Sequence, residues 1–486
     1  MRSKMMAESG CCVARGNEPE DALHLVILGG GSAAFAAAIR ASELGARATI
    51  VNDGLPTGGT CVNVGCVPSK TLIRAAEVLH RANRHGFAGI RSSAEVADFS
   101  AVIGQKRELV EQLRQAKYLD VIADVPTIRL VQGRARFVSD REVAVNGEQI
   151  QGDRFLIATG ATSFVPPVEG LATAGYLTNE SAFELEHLPE SLIVLGGRYI
   201  ALETAQMFAR LGSRVTILQR SDRILPTETP DLTDALSGFL REEGLQVETG
   251  VAVESVRRED GMAAVEVVQG ETKRTYRASQ ILVATGRRPN TDGLGLELVG
   301  VEPDRRGFIR ADETLRTSNP HVFAAGDVLG ERMFVYTAAY EGALAAENAL
   351  QDGSRTRDYT ALPWVIFTDP QVAGVGLDER QATEQGLVVD VATLPMSHVP
   401  RCIAARDTRG FVKLIREAST DRLLGARILA PEGSELLMEL SLAIKHKITA
   451  GELASSFHPY LTLGEANKLA ALTFGKDVSK LSCCAT

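Results

Sequence analysis

Seven cysteines, at positions 11, 12, 61, 66, 402, 483 and 484, are the residues of this chain best able to do chemistry. Cys61 and Cys66 stand five positions apart in "GGTCVNVGCVPSK". A regular helix would separate their Cα atoms by about 7.5 Å of rise, more than the ~4.4–6.8 Å a disulfide usually spans. The two sulfurs can therefore act together only if the segment is distorted, and Gly65 and Pro68 supply the means. Zinc would favour a C-x2-C spacing with two further ligands close by, and the sequence offers neither. Cys66 opens the helix that follows, with Lys70 one turn on, so the helix N-terminus and the ammonium are expected to raise its thiolate fraction. Cys483 and Cys484 are vicinal, with Cα atoms ~3.8 Å apart. A bond between them would be strained and easily reduced.

The elements that must position these thiols begin with a polar tail, residues 1–21, whose Cys11-Cys12 pair reads as incidental. Cys402, in "VPRCIAARDTRGF", reads as a small core residue. A length of 486 exceeds one hydrophobic core, and a net charge of −9 with no basic run argues against nucleic acid or an anionic membrane as partner. Residues 22–39 carry no Asp, Glu, Lys or Arg and approach the length of a membrane span. Acidic "EPED" precedes them and three glycines interrupt them, so they read as strand, turn and helix, with no membrane span. Thiols in a cytoplasmic protein then point to redox or metal chemistry, not a disulfide frame.

The run "HLVILGGGSAAFAAAIRASELGARATIVND" is a βαβ dinucleotide fingerprint in the form Gly29-x-Gly31-x-x-Ala34. Its glycines let the backbone approach a pyrophosphate lying on the positive end of a helix. The pattern recurs in "SLIVLGGRYIALETAQMFARLGSRVTILQR", and each copy is followed by a strand ending in Ala-Thr-Gly, "FLIATGA" and "ILVATGR". Two nucleotide cofactors are implied. The first acceptor strand ends in Asn52-Asp53, an acidic position suited to the ribose of FAD. The second ends in Gln219-Arg220 with Arg223 near, which suits the 2′-phosphate of NADPH over NADH.

With "GGTCVNVGCVPSK", both fingerprints, both ATG strands, "AAGD" and a terminal domain from "PWVIFTDPQVAGVG" onward, residues 22–486 resemble the FAD-dependent pyridine nucleotide–disulfide oxidoreductases. The resemblance implies an α/β fold with two Rossmann-like dinucleotide-binding domains and a C-terminal α+β dimerisation domain. The expected boundaries are 22–165 and 289–363 for FAD, 166–288 for NADPH and 364–486 for dimerisation. It also implies a homodimer in which NADPH reduces FAD, and FAD reduces a Cys61–Cys66 disulfide, Cys66 lying against the flavin and Cys61 exchanging with substrate. Lys70 and Glu203 would pair near the flavin, Tyr199 would cover the nicotinamide pocket and Asp327 would bond the flavin side chain. The FAD set carried over is Gly29, Gly31, Ala34, Asp53, Gly54, Gly59, Thr60, Lys70, Ala135, Gly160, Asp327 and Val335. The NADPH set is Gly196, Tyr199, Ile200, Gln219, Arg220 and Gly286. Two positions depart from family habit: Asn52 replaces the usual ribose acid, and Arg198 stands at a glycine position of the second turn.

Within the family, disulfide-reducing members need a His-Pro-x-x-x-Glu pair to move protons. Here "FHPYLTLGE" sets Glu465 seven positions from His458, a disturbed dyad. Thioredoxin reductases share a terminal redox pair but keep that spacing. The mercuric reductase branch resembles the chain best, through "GGTCVNVGCVPSKTLIRAAE", "PYLT" and the ending "LSCC". That resemblance implies Hg(II), presented as a small thiol complex, as substrate. Cys483 and Cys484 of one subunit would capture the soft ion and pass it to Cys61 and Cys66 of the other, with Tyr199 and Tyr460 lining the transfer site. A disulfide reductase using Cys483 and Cys484 as a shuttle and a non-catalytic metal-sequestering protein are the alternatives.

Overall fold

The computed structural model describes residues 22–477 and 480 and divides the chain into two compact units. The first unit gathers residues up to 59, 115–160 and 289–357. Five parallel strands form its sheet in the order Val322–Ala324, Arg154–Ile157, His24–Leu28, Arg47–Asn52 and Ile128–Gln132. Leu25, Val26 and Ile27 are fully buried, as the middle strand of a sheet covered on both faces must be. Helix Ser32–Glu43 presents Ala33, Ala34, Ala37, Ala38 and Ala41 to the core, and helix Val335–Leu350 packs against it. The approach is so close that a Cβ on Gly342 would lie 2.1 Å from the Ala33 carbonyl oxygen. A three-stranded antiparallel sheet, Arg136–Ser139, Glu142–Val145 and Glu148–Gln151, completes this unit, its second turn made by Asn146-Gly147 with positive φ at both residues.

The second unit gathers residues 60–114, 161–288 and 358 onward. Its own parallel sheet runs Gln246–Thr249, Arg214–Gln219, Ser191–Leu195, Gln280–Val283. Helix Cys66–Asn83 packs on helix Tyr199–Leu211, which is why residues 60–114 group here and not with the first fingerprint. The terminal part is a five-stranded antiparallel sheet in the order Trp364–Ile366, Gln371–Gly376, Leu423–Ala430, Phe411–Glu417, Val389–Pro395, packed with helices Leu437–Lys445 and Glu465–Leu472. Cys402 lies in that core, 2% exposed, and burial pushes its thiol up to about 11. The architecture is the expected α/β one, with two Rossmann-like sheets and an α+β terminal part. No helix among the described residues is long and apolar enough to cross a membrane.

Candidate functional site

The sulfur centre is built from a broken helix. Cys61 sits in the short helix Gly59–Asn63, the chain breaks at Val64-Gly65, and Cys66 opens the helix Cys66–Asn83. The break depends on Gly65, because a Cβ there would fall 2.9 Å from the Thr60 carbonyl oxygen and 3.4 Å from the Cys61 Cα. Pro68, expected to help distort the segment, instead lies in the first turn of the new helix, where its missing N–H costs nothing. Asn179 holds the break open by donating from Nδ2 to the Val64 carbonyl at 2.9 Å, and Ser163 donates to its Oδ1 at 3.0 Å.

Cys61 and Cys66 are free and joined by a hydrogen bond between their side chains. The hydrogen bond from Cys61 is the main reason the Cys66 thiol is lowered to about 7; Lys70 lowers it further, against burial and the Glu203 charge. The same bond, with burial, pushes the Cys61 thiol up. Cys66 is thus the anion and Cys61 the donor. Lys70 Nζ donates to Glu203 Oε2 at 2.7 Å and lies 4.6 Å from the centre of the Phe367 ring. Glu203 Oε1 accepts the Phe367 N–H at 2.8 Å, so both carboxylate oxygens are engaged. Tyr199, one helical turn before Glu203, stacks on Trp364.

The two dinucleotide turns, each within its own unit, are built alike. Gly29 (φ +125°) and Gly196 (φ +122°) close against carbonyls at the ends of the ATG strands: an added Cβ would lie 2.1 Å from the Ala158 oxygen or 2.4 Å from the Ala284 oxygen. The middle residues Gly30 and Gly197 are pressed by the side chains of Asn52 and Gln219, at 2.2 and 3.1 Å from such a Cβ. Asn52 is buried and donates to the Leu55 carbonyl and to Gln132, and Gln219 is buried as well. Neither side chain is therefore presented at the surface beside its neighbour, and the exposed groups at the strand ends are Asp53 in one turn and Arg220 and Arg223 in the other. Gly31 and Arg198 both occupy helix N-caps in extended backbone, φ −95° and −109°, which any residue adopts, so the arginine strains no backbone there. Both helices start without a side-chain cap and without an acid in the first turn, leaving amides available to a pyrophosphate. These turns fit FAD and NADPH.

Of the remaining carried-over residues, Ala34 and Ala135 are buried, Gly54, Gly160 and Gly286 have positive φ, and Gly59 and Thr60 open the short helix before Cys61. Ile200 follows Tyr199 in the second dinucleotide helix. Asp327 lies half-buried in the turn Gly326–Leu329, whose Gly326 N–H is held by buried Glu341 at 2.6 Å, and Val335 starts helix Val335–Leu350. Tyr460 is half exposed. Cys483 and Cys484, like Cys11 and Cys12, lie outside the described residues. His458 pairs not with Glu465 but with Glu439, Nε2 to Oε1 at 2.8 Å, while Asn467 donates to the other Glu439 oxygen at 2.7 Å. Glu465 accepts the Leu461 N–H instead. Glu439, Asn179, Phe367 and Trp364 escaped the sequence reading, although "PWVIFTDP" marked the segment holding the last two.

A dithiol beside a Lys–Glu pair whose carboxylate is buried, with two nucleotide turns in the same chain, defines a nucleotide-dependent dithiol oxidoreductase. The pyridine nucleotide-disulphide oxidoreductase profile matches residues 23–342 and its dimerisation-domain profile residues 362–471. A mercuric reductase of Streptomyces lividans is 47% identical, over 95% of this chain and 98% of its own length, and one of Staphylococcus aureus is 44% identical, over 95% and 84%. Among solved structures, the Cu(II) complex of the HOCl-induced flavoprotein disulfide reductase RclA from Escherichia coli is 30% identical, with a TM-score of 0.81 over 91% of this chain and 98% of that one. The chain belongs to the mercuric reductases of the pyridine nucleotide-disulphide oxidoreductase family.

Proposed function

We propose that the protein is a mercury(II) reductase: NADPH and Hg(II) give NADP+, a proton and Hg(0), two electrons passing to the metal. The observation that carries this reading is the Cys61–Cys66 pair, a thiol lowered to about 7 and hydrogen-bonded to a second thiol, in a chain that mercuric reductases match over 95% of its length. Two thiolates are the donor set that a soft cation selects. FAD, which the Gly29–Gly31 turn, Asp53 and Asp327 would hold, would supply the two-electron link between nicotinamide and sulfur. The chain's own residues do the rest. Cys61, the partner that exchanges with substrate, gives its proton to solvent as Hg(II) takes the place of the hydrogen bond. Cys66, the more readily ionised of the two, accepts the ion as its thiolate, which the Cys61 hydrogen bond and then Lys70, fixed by Glu203, favour. No carbon or sulfur leaving group has to be protonated, so the reaction has no need of a His–Glu acid.

The working form is a homodimer with shared sites, in which Cys483 and Cys484 of one subunit collect thiol-complexed Hg(II) for Cys61 and Cys66 of the other. It belongs in the cytoplasm, where thiols stay reduced. The test is NADPH oxidation by the purified yellow protein on adding Hg(II) with excess thiol. Oxidation is expected, with loss on Cys61→Ser or Cys66→Ser. Cys483→Ala with Cys484→Ala should slow turnover of thiol-complexed Hg(II) and spare reduction of the flavin by NADPH. A response to a protein disulfide but not to Hg(II) would make the protein a disulfide reductase, for which His458–Glu439 offers the proton donor; no response to either would leave sequestration.

A further inference from the structure

The spacing of Cys61 and Cys66 turns on one carbonyl. Cys61 lies in the helix Gly59–Asn63 and Cys66 opens the next, so the link between the two is Val64-Gly65. Val64 donates its N–H to the Thr60 carbonyl at 3.0 Å, which completes the first helix. In an unbroken helix its own carbonyl would accept the N–H of residue 68, and residue 68 is a proline with none to give. Asn179 stands in for that donor, Nδ2 to the Val64 oxygen at 2.9 Å. A carbonyl can only accept, so the amide nitrogen must face it, and the Ser163 hydroxyl donates to the remaining Asn179 oxygen at 3.0 Å.

Asn179 is itself held from behind. It is 4% exposed and opens the short helix Asn179–Ala182. Two residues earlier, Leu177 is bound to strand Gln280–Val283 of the same unit's parallel sheet, its N–H to the Ile281 carbonyl at 2.7 Å and its carbonyl to the Val283 N–H at 2.8 Å. Thr178 N–H bonds to Ser181 Oγ at 3.0 Å. The sheet therefore fixes the amide, and the amide fixes Val64. In the dithiol this bond is made. Closing a disulfide would draw the sulfurs to ~2.05 Å, and with a helix on either side the movement falls on Val64-Gly65. That movement pulls the Val64 carbonyl away from an anchored, buried donor, and stranding such a group costs free energy. A soft ion between two sulfurs takes two bonds' width where a disulfide takes one, so the spacing that Asn179 protects is the one that receives the ion.

We propose that Asn179 is a positioning residue for the dithiol: by holding the Val64 carbonyl it keeps Cys61 and Cys66 at the wider spacing and biases the pair against closing to a disulfide. This rests on the reading of Cys61 and Cys66 as the working pair. The test equilibrates the holoenzyme, free of mercury and NADPH and without oxygen, in mixtures of reduced and oxidised dithiothreitol. The two thiols give two electrons and two protons to the cyclic disulfide of oxidised dithiothreitol, which opens to its dithiol as the Cys61–Cys66 bond forms. Trapping with N-ethylmaleimide and mass spectrometry of the peptide that holds both cysteines read the fraction closed. Asn179→Leu, similar in volume and without a donor, should raise the closure constant about tenfold, a shift of ~30 mV to more negative potential. Ser163→Ala, which leaves the amide nitrogen in place, should raise it about two- to fivefold. A general loosening of the fold acts on both forms alike and leaves the constant where it was. A closure constant unchanged or lowered in Asn179→Leu overturns the proposal, and if that variant does not fold, Ser163→Ala decides by the same criterion. Because the titration contains no Hg(II), a protein inert to mercury that still shows the shift fails the proposed function and keeps this inference.

Discussion

The Cys66 thiol is lowered to about 7 because its neighbours favour the thiolate, and each neighbour can be removed in turn. Lys70→Met deletes the cation that helps to lower its thiol, so the Cys66 titration moves to higher pH. Alkylation of the reduced protein by iodoacetamide at pH 7 is expected to slow by roughly three- to tenfold, with the pH profile displaced upward. Cys61→Ala removes the larger cause and should displace the profile further. At the second nucleotide turn, Arg220→Ser with Arg223→Ser should cut the preference for NADPH over NADH by about ten- to a hundredfold, measured as the ratio of kcat/KM values. Gln219, by contrast, is buried against Gly197, so Gln219→Glu should cost stability before selectivity. Cys61, Cys66 and Lys70 were legible in the spacing of one motif, and Glu203 only through the family resemblance, since it meets Lys70 from far along the chain. Phe367, Asn179 and Glu439 were not, because each meets its partner across a long stretch of chain that no local pattern encodes: Phe367 reaches Glu203, Asn179 reaches Val64, and Glu439 reaches His458.

At the level of elements, helix packing is set by where side chains are missing. Helix Val335–Leu350 packs hard on helix Ser32–Glu43 at Gly342, where the added methyl of Gly342→Ala would meet the Ala33 backbone. Parting the two helices should cost roughly 1–3 kcal/mol. The measurable result is a lower Tm and a purified protein with less bound flavin, since the displaced helix Ser32–Glu43 carries the first nucleotide turn. Periodicity and turn glycines made the two βαβ units readable, because a strand, a glycine turn and an alanine-rich helix each leave a local signature. The helix break between the cysteines was readable too, but its cause was split between Gly65 and Pro68, and the structure gives it to Gly65 alone. What sequence could not show was the pairing of Asn52 with Gly30 and of Gln219 with Gly197, where a strand end presses on the turn of its own unit.

At the scale of the whole molecule, the proposed sharing of sites between subunits makes a sharp demand. A mixed dimer with one subunit carrying Cys61→Ala and Cys66→Ala, and the other Cys483→Ala and Cys484→Ala, retains one complete route if thiols are shared across the interface and none if each subunit serves itself. Such a dimer should show about half the wild-type rate with thiol-complexed Hg(II), although each parent homodimer is slow. Activity no greater than that of the parents would place the whole route within one subunit.

Cys402 bears on how such a protein outlasts its own trade. A thiol poison attacks whatever sulfhydryl it can reach, and among the described residues the one besides the working pair is sealed inside the terminal sheet with its proton held fast. Among the described residues the metal then meets sulfur only at the working pair, so titrating the folded chain with an excess of the ion should leave Cys402 untouched until the fold itself gives way.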